Sequence, residues 1–275
     1  MAPRGPLERV DRRTFERQVQ EGTLGQPLLV AGCAEGASRA WTSSYLKEHW
    51  PGTCQMLSRN LTAGLPYIFA SGDTFTSVRE QVPVSQALEM IFERATTHTA
   101  FRVVAKRSSI PGKLLGELPE CPGFDRLTLW LQSPGTVTPF HYDNVHGLLI
   151  QLRGEKRVQF YPPREGFHTL LPESVMTGRG AHLSTVGKTT DSRALAESFL
   201  GGSSPAPVDL VLRPGETLYV PAFWWHHVET LTPSISLSLR KPLQGTERLH
   251  PLEVRVIADV LFSPLRLIRR AGSSS

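Results

Sequence analysis

From Leu127 onward the sequence runs in short segments punctuated by turn residues. Leu127–Gln132 is followed by a turn at Ser133-Pro-Gly135. Thr138–Tyr142, Gly147–Leu152 and Lys156–Tyr161 come next, with a hairpin turn at Gly154-Glu155 and a stop at Pro162-Pro163. Val208–Leu212 and Thr217–Val220 flank the turn Arg213-Pro-Gly-Glu216, and Ser234–Leu239 alternates with Ile235, Leu237 and Leu239 on one face. Short strands at this spacing predict a mainly β domain, and a double-sheet barrel or jelly roll accommodates them best.

Helical patterns frame this block. Val10–Gln20 reads as a helix with Asp11 as its N-cap and Phe15 and Val19 on one face; Gly22 and Gly25 end it. Pro27–Ala31 is a short apolar strand, Thr42–Trp50 a helix stopped by Pro51-Gly52, and Cys54–Leu57 a further strand. Pro83–Arg94 is amphipathic through Val84, Ala87, Leu88 and Ile91, and Phe101–Ala105 is a strand. Gly64–Ser77 mixes turn and aromatic residues and gives no clear pattern. Ser108–Gly123 reads as loop with one short helix, and Leu171–Ser204 as irregular and polar with a helical piece at Arg193–Leu200. Pro251–Arg270 is helical, broken at Ser263-Pro264, with apolar stripes that suit packing on the barrel or pairing of two subunits. One domain is therefore expected over residues 1–275: buttressing elements at 1–126, a barrel core at 127–240 and C-terminal helices at 241–275.

The 40% hydrophobic content supports a sizeable core, and the net charge of +5 is too mild to indicate nucleic-acid binding. Cys33, Cys54 and Cys121 are scattered without a CxxC pair, so no disulfide framework or thiolate zinc site follows from them and a reducing compartment fits. Met1–Pro6 has no apolar signal-peptide region and no run approaches the ~20 apolar residues of a membrane span. A cytoplasmic location follows as the expectation.

The residues that carry chemistry are few. His141 and Asp143 are two apart, so an extended strand points both to one face. A second imidazole from the distant Trp224-Trp-His-His-Val228 segment would complete two histidines and one carboxylate. That donor set suits a non-haem Fe(II) with open positions. Lys156 lies fifteen residues after His141, across a strand and a hairpin, where it can point into the same barrel; Thr138 lies three before His141.

These segments carry a resemblance. Thr138-Pro-Phe-His-Tyr-Asp143, Gln151-Leu-Arg-Gly-Glu-Lys-Arg157, Phe160-Tyr-Pro-Pro163, Pro214-Gly-Glu-Thr-Leu-Tyr-Val-Pro221 and Trp224-Trp-His-His-Val228 fall in the order and spacing of the Jumonji-C, or cupin-like, hydroxylases. The asparaginyl hydroxylase acting on hypoxia-inducible factor shares this pattern. The resemblance covers roughly residues 127–240 and is looser outside them.

It implies a double-stranded β-helix and an oxygenase that uses Fe(II), 2-oxoglutarate and dioxygen. The iron ligands carried over are His141, Asp143 and His226, with His227 as the neighbouring alternative. Lys156 would bind the distal carboxylate of 2-oxoglutarate and Thr138 would hydrogen-bond it; a buried dicarboxylate does need a fixed cation. Two positions depart from the pattern. Gly147 stands where the family often has an asparagine, and Arg240 stands near another, where it could bind cosubstrate, face substrate or sit outside the barrel. Relatives act on protein side chains, methylated lysines or a modified tRNA base. A protein or peptide side chain is the expected substrate here, with nucleic acid or a small molecule as the alternative. A non-catalytic metal-binding cupin and a cupin with another metal are the competing classes. Related hydroxylases dimerise through terminal helices, which makes a homodimer through Pro251–Arg270 an expectation.

Overall fold

The computed structural model describes residues 7–60, 77–94, 96, 98–163, 181–183, 208–245 and 247. In chain order the elements are β1 (Arg9–Asp11), α1 (Arg12–Glu21), β2 (Leu28–Ala31), α2 (Glu35–Ala40), α3 (Ser43–His49), β3 (Thr53–Asn60), β4 (Ser77–Pro83), α4 (Val84–Phe92) and β5 (Thr99–Lys106). A 3-10 turn at Arg107–Ser109 and α5 (Gly112–Glu117) lead to β6 (Arg126–Gln132), β7 (Val137–Asp143), β8 (Val145–Arg153), β9 (Lys156–Tyr161) and β10 (Ala181–Leu183). The last four strands are β11 (Val208–Leu212), β12 (Thr217–Val220), β13 (Trp225–Thr230) and β14 (Ser234–Pro242).

Local chemistry sets the helix ends. The Asp11 carboxylate accepts from the Thr14 backbone N–H at 2.8 Å, and Gly22 closes α1 at φ 66°. Thr42 caps α3 by accepting from the Tyr45 N–H at 3.1 Å. Glycines at positive φ make the two tight turns that carry the chain from one sheet to the other: Gly154 at 71° between β8 and β9, and Gly215 at 88° between β11 and β12. The turn at Gly154-Glu155 is therefore not the hairpin the sequence suggested, since β8 pairs with β12 and β14 and β9 with β11 and β13.

The strands form two sheets. The larger runs β1-β2-β12-β8-β14-β6-β5-β3-β4 and the smaller β10-β7-β13-β9-β11. From β6 onward, successive strands mostly alternate between the sheets, and every pair in this block is antiparallel. This is the expected double-stranded β-helix, with β1-β2 and β5-β3-β4 widening the larger sheet on both sides.

The period-2 rule divides the larger sheet into two unlike faces. Leu129, Leu131, Leu148, Ile150, Ile235 and Leu237 point outward and are buried under the helical layer, against Phe15, Trp41, Leu46, Leu88 and Ile91. The main core is therefore a helix-on-sheet interface outside the barrel. The opposite face carries Trp130, Gln132, Gly147, Ser238 and Arg240 and lines a cavity between the sheets. A smaller apolar cluster of Val158, Phe160, Leu212, Leu218, Val220 and Trp224 fills the rest of the barrel.

The other differences from the sequence reading are confined to short elements. β1, α2 and β4 have three to seven residues and carry no periodicity that a window could detect. Within the stretch expected to be irregular, Ala181–Leu183 adds as an edge strand to β7. The 193–200 helix, residues 64–76 and the C-terminal helices expected over 251–270, with the dimer they would make, lie outside the described residues.

Candidate metal centre

β7 and β13 are neighbours, and their register sets His141 directly opposite His226. The two rings lie with centroids 4.1 Å apart and planes at 53°. Asp143 follows His141 on the same face. One ligand atom from each of His141, Asp143 and His226 lies within 4.8 Å of the others, and all three residues are buried. The sequence brought two of these together by strand parity; the pairing of distant strands brings the third.

Register also separates the two adjacent histidines. His227 pairs with Gln159 of β9 and points to the other face, near Arg157 and Asp209, where burial lowers its pKa to about 4. The His226 Nδ1 lies 2.9 Å from the carbonyl oxygen of Trp224, so this nitrogen donates and Nε2 is left to ligate. Burial pulls the His226 pKa below its ordinary value, which Asp143 partly offsets. Neutral imidazole is the ligating form.

A bulge aims the rest of the strand. Between His226 and Val228 the partner residues on β7 move from His141 to Thr138, three positions instead of two. In a regular strand, residues three apart would face opposite ways. The extra residue in β7 lets both Thr138 and His141 line the cavity.

Lys156 enters from β9. It is 3% exposed, and its Nζ donates to Gln132 Oε1 of β6 and, at 2.6 Å, to Ser236 Oγ of β14. Burial, and then the nearby Arg102 guanidinium, lower its pKa to about 7. The cavity that holds Lys156, Thr138 and the three clustered residues measures about 140 Å³. At 10–15 Å³ per water position that is room for on the order of ten small atoms or waters.

The two departures from the family pattern turn out to be one feature. Gly147 of β8 and Arg240 of β14 are directly paired. The Arg240 guanidinium enters the cavity, and its Nη2 lies 3.2 Å from Asp143 Oδ2. Arg240 thus lines the cavity and holds the carboxylate of the cluster. His146 faces away from the cavity: its ring nitrogens lie 2.9 Å from the Tyr219 hydroxyl and 3.1 Å from Glu247 Oε1. Tyr142 packs edge-on against Trp225 at 4.7 Å, on the side of β7 opposite the cluster. His168 and His250 lie outside the described residues.

Besides its aliphatic lining, the cavity has polar and aromatic residues that escaped the sequence reading: Arg102, Trp130, Gln132 and Ser238. The serine alternation in β14 and a lone arginine inside the apolar run of β5 were the available signals.

A profile described as a cupin-like domain matches residues 13–239. The chain belongs to the cupin-like, Jumonji-C family. Members similar to it include the lysine-specific demethylase JMJ30 of Arabidopsis thaliana, 32% identical over 114 residues, covering 41% of this chain and 25% of that protein. Jumonji C domain-containing protein 5 of Drosophila melanogaster is 31% identical over 130 residues, 47% of this chain and 31% of that protein. The human bifunctional peptidase and (3S)-lysyl hydroxylase JMJD7 is 27% identical over 187 residues, 58% of each chain. The chain thus spans between a quarter and somewhat over half of the length of these relatives.

Proposed function

We propose that this chain is an Fe(II)- and 2-oxoglutarate-dependent oxygenase that hydroxylates a side chain of a protein or peptide. The observation that carries this reading is the buried His141–Asp143–His226 cluster sharing one cavity with the buried cation of Lys156. Two imidazoles and one carboxylate are a donor set that would hold a divalent iron and leave positions on it for cosubstrate. When bound, iron and 2-oxoglutarate would supply oxygen activation coupled to oxidative decarboxylation to succinate and CO2.

The chain's own residues do the positioning. His141, Asp143 and His226 would hold the metal on two paired strands, and Arg240 keeps the Asp143 carboxylate turned into the cavity. Lys156 would neutralise the distal carboxylate of 2-oxoglutarate, with the Thr138 hydroxyl as a further donor. Val158, Leu218, Val220 and Val228 line the same cavity and give it an apolar wall. A protein substrate is supported by the lysyl hydroxylase and lysine demethylase named among the relatives.

Succinate release from 2-oxoglutarate under air, with Fe(II) present, tests the reading. Wild-type protein should turn over and Asp143→Ala should not. Equal turnover by the two would rule out the assigned cluster. A missing +16 mass unit in the proteins or RNA of a deletion strain would then name the substrate.

A further inference from the structure

The cavity contains a second buried cation, for which the family resemblance gave no role. Arg102 lies on β5, 6% exposed, directly paired with Gln132 of β6. Gln132 is the side chain to which Lys156 donates, so Arg102 and Lys156 both lie beside this residue, one on each sheet. The Arg102 guanidinium sits over the Trp130 ring, 4.5 Å from its centroid, and both residues line the cavity of the metal cluster. Stacking on an aromatic face fixes the plane of a guanidinium and so the direction of its donors.

Two buried cations in one small cavity repel each other and have both lost hydration, a cost that an anion bound between them offsets. Arg240, the third cation of the cavity, is already ion-paired with Asp143. We propose that Arg102 acts with Lys156 as a second cationic contact for the distal carboxylate of the 2-oxo acid, an assignment that rests on the oxygenase reading above. The pair selects a dicarboxylate over 2-oxo acids of similar length that end in an uncharged group. Lys156 supplies a point charge and Arg102 a planar fork, which together favour two oxygens held in one plane.

The test is calorimetric titration of 2-oxoglutarate, and separately of 2-oxovalerate, into the Mn(II)-loaded protein. 2-Oxovalerate keeps the metal-binding end and replaces the distal carboxylate with a methyl group. Arg102→Met should weaken 2-oxoglutarate about tenfold or more, the scale of one charge-assisted contact, while 2-oxovalerate and Mn(II) affinities stay within about twofold. Arg102→Gln, which keeps a polar chain and removes the charge, provides the same readout should the methionine variant misfold. Variants that hold 2-oxoglutarate as tightly as wild type overturn the proposal alone. So do variants that weaken both acids equally with Mn(II) affinity intact. A wild-type protein that binds neither Mn(II) nor 2-oxoglutarate overturns the oxygenase reading and this proposal with it.

Discussion

Lys156 carries its ammonium group into the barrel, where Gln132 and Ser236 accept from it. Its pKa falls from 10.5 to about 7 in the ligand-free fold, through burial and then Arg102. The unfolded chain keeps the ordinary value, so between these two pH values the unfolded state binds the extra proton. Stability of the ligand-free protein therefore rises with pH across that window and is lost as pH falls toward 7. The Tm of wild type minus that of Lys156→Met should increase as pH is raised from about 7 into the alkaline range, and saturating 2-oxoglutarate should flatten the slope. A flat difference without ligand would contradict the burial of this charge. Arg240 gives a second prediction at this scale. Arg240→Leu removes the partner of Asp143 and should weaken Mn(II) binding by roughly tenfold, measured by titration calorimetry. Of the site, His141 and Asp143 were legible because strand parity alone puts them on one face. Residues read in isolation could not separate His226 from His227, since only pairing with β7 and β9 decides which ring faces inward. Thr138 was legible only through the resemblance, because a bulge overrides strand parity there; Arg102 was missed because it reaches the cavity through a strand that precedes the barrel block.

Elements with strong local chemistry were readable before any contact was known. Asp11 and Thr42 announced α1 and α3, and the stripe of Val84, Ala87, Leu88 and Ile91 placed α4; all four of these apolar residues are buried. The strand runs from Leu127 were found within a few residues of their ends. β1, α2 and β4 were not found, since short edge elements are set by backbone pairing and leave little side-chain pattern. The turn between β8 and β9 is the most constrained of the readable features. Gly154 sits at φ 71°, and a Cβ there would lie 2.2 Å from the Pro233 carbonyl oxygen. Gln151 Nε2 also donates to the Gly154 carbonyl at 2.9 Å, tying the turn to Ser234 and the start of β14. Gly154→Ala should therefore destabilise the fold by about 2 kcal/mol or more, since both the backbone angle and the neighbouring backbone must give way. Urea denaturation of the two proteins measures this, and an unchanged midpoint would show that the turn relaxes freely.

At the scale of the whole molecule, stability and chemistry occupy opposite faces of one sheet. Ile235, Leu237 and Leu239 anchor β14 to the helical layer, while Ser236, Ser238 and Arg240 on the same strand face the cavity. The alternation was plain in the sequence; which face would be interior was not, because the apolar side packs on helices outside the barrel. This division lets a polar, cation-bearing cavity exist without weakening the main core. The smaller sheet supplies the metal cluster and Lys156, and the larger supplies Arg102, Arg240 and the acceptors that hold Lys156 in place. We propose that these parts assemble one iron and one 2-oxo acid in a single site. Anaerobic titration of the protein with Fe(II) and then 2-oxoglutarate, followed by visible charge-transfer absorption, measures this directly. The band should saturate at one iron and one 2-oxoglutarate per chain and be absent in Asp143→Ala. No band in the wild-type protein, or an undiminished band in the variant, would contradict it.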